Sequence, residues 1–155
     1  PTESFKTIAR VEQSVFAIMA PGHPLADFEK LSLSQCVEFP LALHDSSFSV
    51  GQVLEAQAHR SRLALKAAIK SNSFILLQNY IMRSNAVGFE IGIGLDESDL
   101  DGLIKKPLAL NKVNTISVQL VQLRGRTLSV AAAKFAEQIG AAFMAMSEEK
   151  VDGSH

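Results

Sequence analysis

The sequence has one cysteine among its 155 residues, no long uninterrupted apolar run and almost no net charge. A single thiol, Cys36, excludes an internal disulfide bond and a zinc site built from cysteines. Its apolar neighbours Leu33 and Val37 predict that Cys36 is a small buried hydrophobe. No segment approaches the roughly 18 apolar residues that suggest a membrane span, and the N-terminus lacks the pattern of a signal peptide. We therefore expect a cytoplasmic protein without membrane contact.

Net charge and composition limit which partners the chain can bind and how large a core it can form. The chain has 15 basic and 16 acidic residues, a formal net charge of −1, and 47% of its residues are hydrophobic. Nucleic-acid binding depends on clustered Lys and Arg side chains that neutralise phosphates, so this chain alone should not bind DNA tightly. An apolar share this large supports one real core or two small ones.

Signatures of catalysis and of cofactor sites are also missing. No serine stands in a Gly-x-Ser-x-Gly motif, and Gly92-Ile93-Gly94 lacks the third glycine and the following helix of a dinucleotide fingerprint. The acidic stretch from Glu97 is faintly similar to a calcium loop, but Leu108 occupies its twelfth position, where a glutamate is needed. Metal-ligand spacing is absent from the four histidines, which are residues 23, 44, 59 and 155. We expect no enzyme, no metal and no cofactor.

The clearest positive feature is an apolar, strand-like run that stops at a Pro-Gly-His-Pro turn. Pro21 and Pro24 fix φ and lack an N–H donor, and Gly22 accepts backbone angles that other residues avoid. Sheet pairing therefore cannot continue through residues 21–24. This interruption predicts a crossing point, or hinge, between two lobes.

Short strands and helices alternate along the chain, which is typical of an α/β protein. Strands are predicted at residues 10–19, 40–43, 63–70, 87–93, 102–107 and 116–123. Helices are predicted at 32–37, from a capping box at Ser49–Gln52 to Arg60, from a Ser71-Asn72-Ser73 cap to about Asn85, and from Ser129 to about Met146. With the hinge, these elements predict a partial first lobe at residues 1–24, a second lobe at 25–110, a return to the first lobe at 111–146 and a disordered tail at 147–155.

Apolar residues at helical spacing predict the buried face of each longer helix. These faces are Val50, Val53, Leu54 and Ala58; then Ile75, Leu76, Tyr80 and Ile81; and finally Leu128, Ala131, Phe135, Ile139, Phe143 and Met146.

Two loops that run from a predicted strand into a predicted helix form the candidate binding site. Ligands of α/β folds bind at the carboxyl ends of strands, where helix N-termini present unpaired N–H groups. The first loop supplies His44, Asp45, Ser46, Ser47 and Phe48, and the second supplies Ser71, Asn72 and Ser73. Plain helix capping is the alternative for the serines and the asparagine, and burial in the core is the alternative for Phe48 and Phe74. The helix N-termini favour a small anion, such as a carboxylate, as the ligand.

Four stretches, in the correct order, resemble the effector-binding domain of LysR-type transcriptional regulators. They are Ala20-Pro21-Gly22-His23-Pro24-Leu25-Ala26; Ser71 to Leu77; Ala86 to Phe89 with Gly102 to Ile104 and Pro107-Leu108; and Gly125 to Phe135. Ser84 and Asn85 depart from the pattern, because the family normally has a glycine just before this Gly-rich strand. A complete regulator begins with a winged helix-turn-helix and the first part of one lobe, so the resemblance implies a chain truncated at its N-terminus.

The resemblance implies an α/β, two-lobed fold like that of the type 2 periplasmic binding proteins, with one lobe near complete and the other partial. It implies an effector-sensing domain that binds a small molecule between the lobes, pairs with a second copy of itself and acts on DNA through the absent domain. The open strand edge and apolar helix face of a partial lobe also predict self-association. A fragment of a type 2 periplasmic solute-binding protein is the alternative, since it shares the architecture but is secreted. A small α/β enzyme is a third alternative, for which no nucleophile or base can be named.

Overall fold

The computed structural model describes residues 4–45, 47–93, 95, 100–110 and 116–152, with side chains up to residue 146. Contacts divide the chain into two units, residues 1–12 with 117–155 and residues 13–116. The Pro-Gly-His-Pro turn lies inside the second unit, and the functional lobe boundaries at residues 24 and 110 stay a prediction. In the described part of the chain, no helix is long and apolar enough to cross a membrane.

Eight strands and four α-helices lie within the described residues. The strands are β1 (Phe5–Gln13), β2 (Val15–Met19), β3 (Leu31–Ser32), β4 (Leu41–His44), β5 (Ala67–Ser71), β6 (Val87–Ile91), β7 (Ile104–Ala109) and β8 (Ile116–Leu123). The helices are α1 (Leu33–Cys36), α2 (Ser49–Arg60), α3 (Phe74–Met82) and α4 (Val130–Asp152). This alternation confirms the predicted α/β class.

The second unit is built on a six-stranded mixed sheet with the order β3-β7-β2-β6-β4-β5. β4 runs parallel to both of its neighbours, β5 and β6, while β2 is antiparallel to β6 and β7. Parallel strands need a crossover connection, and the chain provides it by placing α2 between β4 and β5 and α3 between β5 and β6. The three parallel strands therefore end at the same edge of the sheet, which we call the carboxyl edge.

The two faces of this sheet form two separate hydrophobic clusters. Successive strand side chains point to opposite faces, so the residues of β2 are divided between the clusters. Buried members of the larger cluster include Val15, Ala17 and Met19 of β2 together with Leu33, Cys36, Val50 and Leu54 of α1 and α2. The smaller cluster joins Ile18 of β2 to Leu77 and Ile81 of α3. Helices therefore cover both faces of the sheet.

The sequence predicts correctly that Cys36 of α1 and Val50, Leu54 and Ala58 of α2 are buried, whereas Val53 is only half-buried. The hydroxyl of Ser32 accepts the N–H of Gln35, and the Gln35 side chain accepts the N–H of Ser32, which makes a capping box at the start of α1. Cys36 is fully buried, and burial raises the pKa of its thiol to about 12. The buried residues of α2 are Val50, Leu54, Gln57 and Ala58.

The predicted buried face of α3 is wrong in its first turn and correct for Tyr80 and Ile81, which pack in or against the smaller cluster. Leu77 and Ile81 are buried, whereas Ile75 and Leu76 are exposed by 70% and 50%. The helix begins with four successive apolar residues, Phe74 to Leu77. Periodicity therefore does not distinguish which side of the first turn faces the sheet.

The first unit holds β1, β8 and α4, and β1 pairs with β8 in a two-stranded sheet. The single strand predicted at residues 10–19 is wrong, because the chain leaves strand conformation at Ser14 between β1 and β2. In α4 Phe143 is buried as predicted, but Phe135 is 63% exposed. α4 also runs to Asp152, past Met146, where the sequence predicts that a disordered tail begins.

The Pro-Gly-His-Pro turn is fixed by the side chain of His23. Gly22 has a φ of +82°, which glycine adopts at little cost. The imidazole of His23 is buried; its Nδ1 accepts the backbone N–H of Leu25 at 3.1 Å, and its Nε2 donates to the carbonyl of Asn85 at 3.1 Å. The ring also packs on Phe39, with the ring centroids 4.6 Å apart. His23 therefore ties the turn to the segment between α3 and β6.

We expect Gly88→Ala to destabilise the protein, because Gly88 lies where the sheet meets α3 and has no room for a methyl group. A Cβ atom would lie 2.5 Å from Cδ1 of Ile81 and 3.0 Å from Cγ1 of Ile18, and both side chains are fully buried. Overpacking of this kind lowers the free energy of unfolding by about 1–3 kcal/mol, which urea denaturation measures. Gly140→Ala in α4 is the matched control, because no atom lies within 4 Å of a Cβ there. Equal unfolding free energies for the two variants would contradict this packing.

Candidate functional site

Both predicted loops lie at the carboxyl edge of the sheet. β4 and β5 are adjacent, and their last residues, His44 and Ser71, are register partners. One residue further along, the N–H of Asp45 donates to the carbonyl of Ser71 at 3.3 Å. The β4–α2 loop and the β5–α3 loop are therefore neighbours. Together with the end of β6 they form what we call the carboxyl-edge site.

The β4–α2 loop is held by a turn at Asp45. The carboxylate of Asp45 accepts the backbone N–H of Ser47 at 2.9 Å, and it also accepts the hydroxyl of Ser47. These two hydrogen bonds, first that of the hydroxyl and then that of the backbone, hold the pKa of the Asp45 carboxyl below its ordinary value. Ser46, which the sequence also predicts as a site residue, lies outside the described residues.

α2 begins at the carboxyl edge without a side-chain cap. Its N-cap residue is Phe48, whose side chain accepts no hydrogen bond, so the capping box predicted at Ser49–Gln52 is wrong. The first N–H groups of a helix have no partner within the helix, and no described residue accepts those of residues 49–51. The helix dipole adds partial positive charge at the same place. The start of α2 therefore presents N–H groups and partial positive charge at the carboxyl edge.

The β5–α3 loop uses its serines as local caps. The Ser71 hydroxyl accepts the N–H of Ser73 at 3.0 Å, and the Ser73 hydroxyl accepts the N–H of Leu76 at 3.3 Å. The second of these bonds is the N-cap of α3. Asn72 is exposed between the two serines. Both hydroxyls therefore accept local backbone N–H groups, which is the capping alternative that the sequence left open.

The phenylalanines of the two loops have different environments. Phe74 is half-buried and packs against the smaller hydrophobic cluster, so the core alternative applies to it. Phe48 is 40% exposed. Its ring packs on the imidazole of His44, with the ring centroids 4.8 Å apart, so the N-terminus of α2 lies against His44.

His44 and Glu90 form a pair that the sequence did not predict. The Nε2 of His44 donates to a carboxylate oxygen of Glu90, near the end of the neighbouring strand β6. The side chains of His44 and Glu90 are exposed by only 6% and 17%. The Nδ1 of His44 is buried and has no hydrogen-bond partner among the described residues. An acidic residue, Glu90, directly after Phe89 in an apolar strand was the one sequence feature that could have indicated this pair. Its partner lies on another strand, so the local sequence does not reveal it.

A small cavity lies beside the site, between α2 and strands β4 and β5. Its volume is about 10 Å³, and its lining includes His44, Glu55 and Lys70. A space of that size holds about one water molecule. The cavity therefore has no room for a larger ligand. Within the described residues, no group of three or more His, Cys, Asp or Glu side chains could hold a metal ion.

We expect acid to destabilise the β4–α2 loop, because protonation of Asp45 weakens the hydrogen bonds that its carboxylate accepts from Ser47. Because the folded-state pKa lies below the ordinary value of 3.8, the contribution of this carboxylate to stability is present above pH 3.8 and is lost as the pH falls through the folded-state pKa. An NMR titration of the Asp45 carboxyl carbon should give a midpoint below 3.8, and Ser47→Ala should move it towards 3.8 by removing the hydroxyl donor. Ser49→Ala is the control, since no hydrogen bond joins Ser49 to Asp45. An unchanged midpoint in Ser47→Ala would contradict the assignment.

A family model for the LysR substrate binding domain matches residues 2–144 of the chain. A search of curated proteins found no significant match.

Solved structures of LysR-family regulators share the fold. HinK from Pseudomonas aeruginosa has a TM-score of 0.72 and 19% sequence identity, over 92% of this chain and 50% of its own. The effector binding domain of QuiR, solved in complex with shikimate, has a TM-score of 0.67 and 14% identity, over 92% of this chain and 69% of its own. The regulatory domain of CcmR from Synechocystis PCC6803, solved with 2-PG, has a TM-score of 0.63 and 14% identity, over 95% of this chain and 69% of its own.

The chain spans about half the length of the two Pseudomonas aeruginosa regulators that it matches. The matches confirm the predicted α/β fold of the type 2 periplasmic-binding-protein kind, and they favour a regulator over the alternative of a secreted solute-binding protein. The chain belongs to the LysR substrate-binding domain family of transcriptional regulators.

Proposed function

We propose that the chain is the effector-sensing domain of a LysR-type transcriptional regulator, and that its effector is a small anion bound at the carboxyl-edge site. One observation supports this most directly. Two loops that the sequence predicts separately as binding loops are neighbours, joined by the register pair His44 and Ser71 and by the hydrogen bond from Asp45 to Ser71.

The preference for an anion follows from the donors at this edge. α2 and α3 have 12 and 9 residues, and each starts at the carboxyl edge with its positive dipole end. The N–H groups of residues 49–51 have no acceptor among the described residues. A phosphate or carboxylate at such a helix start replaces water as the acceptor of these N–H groups. The eight site residues predicted from the sequence, from His44 to Phe48 and from Ser71 to Ser73, keep this role in the proposal.

Regulation in this proposal is differential binding. An effector shifts an equilibrium only by the difference between its affinities for two states, so it favours one arrangement of the protein over another. DNA is bound by a winged helix-turn-helix elsewhere in a longer protein, in keeping with the net charge of −1 on this chain. The regulator acts in the cytoplasm and catalyses no reaction.

A second copy of the chain is the proposed protein partner. The first unit exposes large apolar side chains that a partner would cover; they include Phe5, Ile8, Val121, Leu123 and Phe135. Apolar surface that is exposed on this scale is typical of protein interfaces.

Relatives with the same fold support a small effector. QuiR was solved with shikimate, and CcmR was solved with 2-PG. Both relatives share only 14% sequence identity with this chain, so their ligands do not identify its effector. The effector has to be inferred from the residues of this chain.

A screen of matched acids and carboxamides tests the proposed function. Each carboxylic acid is compared with its own carboxamide, which keeps the shape and removes the charge. We expect the acids to raise the thermal unfolding midpoint, because they bind the folded chain and not the unfolded one. We also expect them to shift the backbone NMR signals of residues 47–51 and 71–75 in the described loops.

Stabilisation by the carboxamides alone, or by cationic compounds alone, would contradict the preference for anions. Signals that shift only outside the two loops would contradict the site.

A further inference from the structure

We draw no further inference here: the strongest candidate, the surface patch of exposed apolar side chains that Ile75, Leu76 and Met82 place on α3, carries none because nothing in the described part of the structure shows what covers it.

Discussion

The parallel alignment of β5, β4 and β6 is the constraint on which the rest of the structure depends. Parallel neighbours cannot be joined by a hairpin, so α2 and α3 must cross over between them. Each helix then starts directly after a strand ends, and both starts lie at one edge. The helices also pack on opposite faces of the sheet, which produces the two hydrophobic clusters. Tight contacts such as that of Gly88 with Ile81 fix the sheet against α3.

The chemistry at the carboxyl edge follows from which polar groups are already satisfied. Ser71 and Ser73 accept local N–H groups, and Asp45 accepts two hydrogen bonds from Ser47. The N–H groups of residues 49–51 in α2 have no acceptor among the described residues. An anionic ligand, as proposed, would accept hydrogen bonds from these N–H groups. The proposed preference for an anion therefore rests on unpaired N–H groups at this edge and not on the shape of a cavity.

Local sequence patterns predicted the elements of this site better than the contacts within it. The turn at residues 21–24 and the strand-to-helix loops have local signals in proline, glycine and hydroxyl residues, and they lie where the sequence predicts. The pairing of His44 with Glu90 joins residues 46 positions apart, so no local pattern reveals it. The run of apolar residues at the start of α3 hides which side is buried, and Ile75 was placed on the wrong face for that reason. The exposure of Phe135 has the same cause, because spacing reports which residues share a helix face and not whether another element covers it.

A crystal structure of the chain with an acid from the ligand screen tests the central claim most directly. We expect the carboxylate of the ligand to lie within about 3 Å of the N–H groups of residues 49–51. A ligand bound elsewhere, for example in the open pocket that Arg83 and the Pro-Gly-His-Pro turn line together, would contradict it.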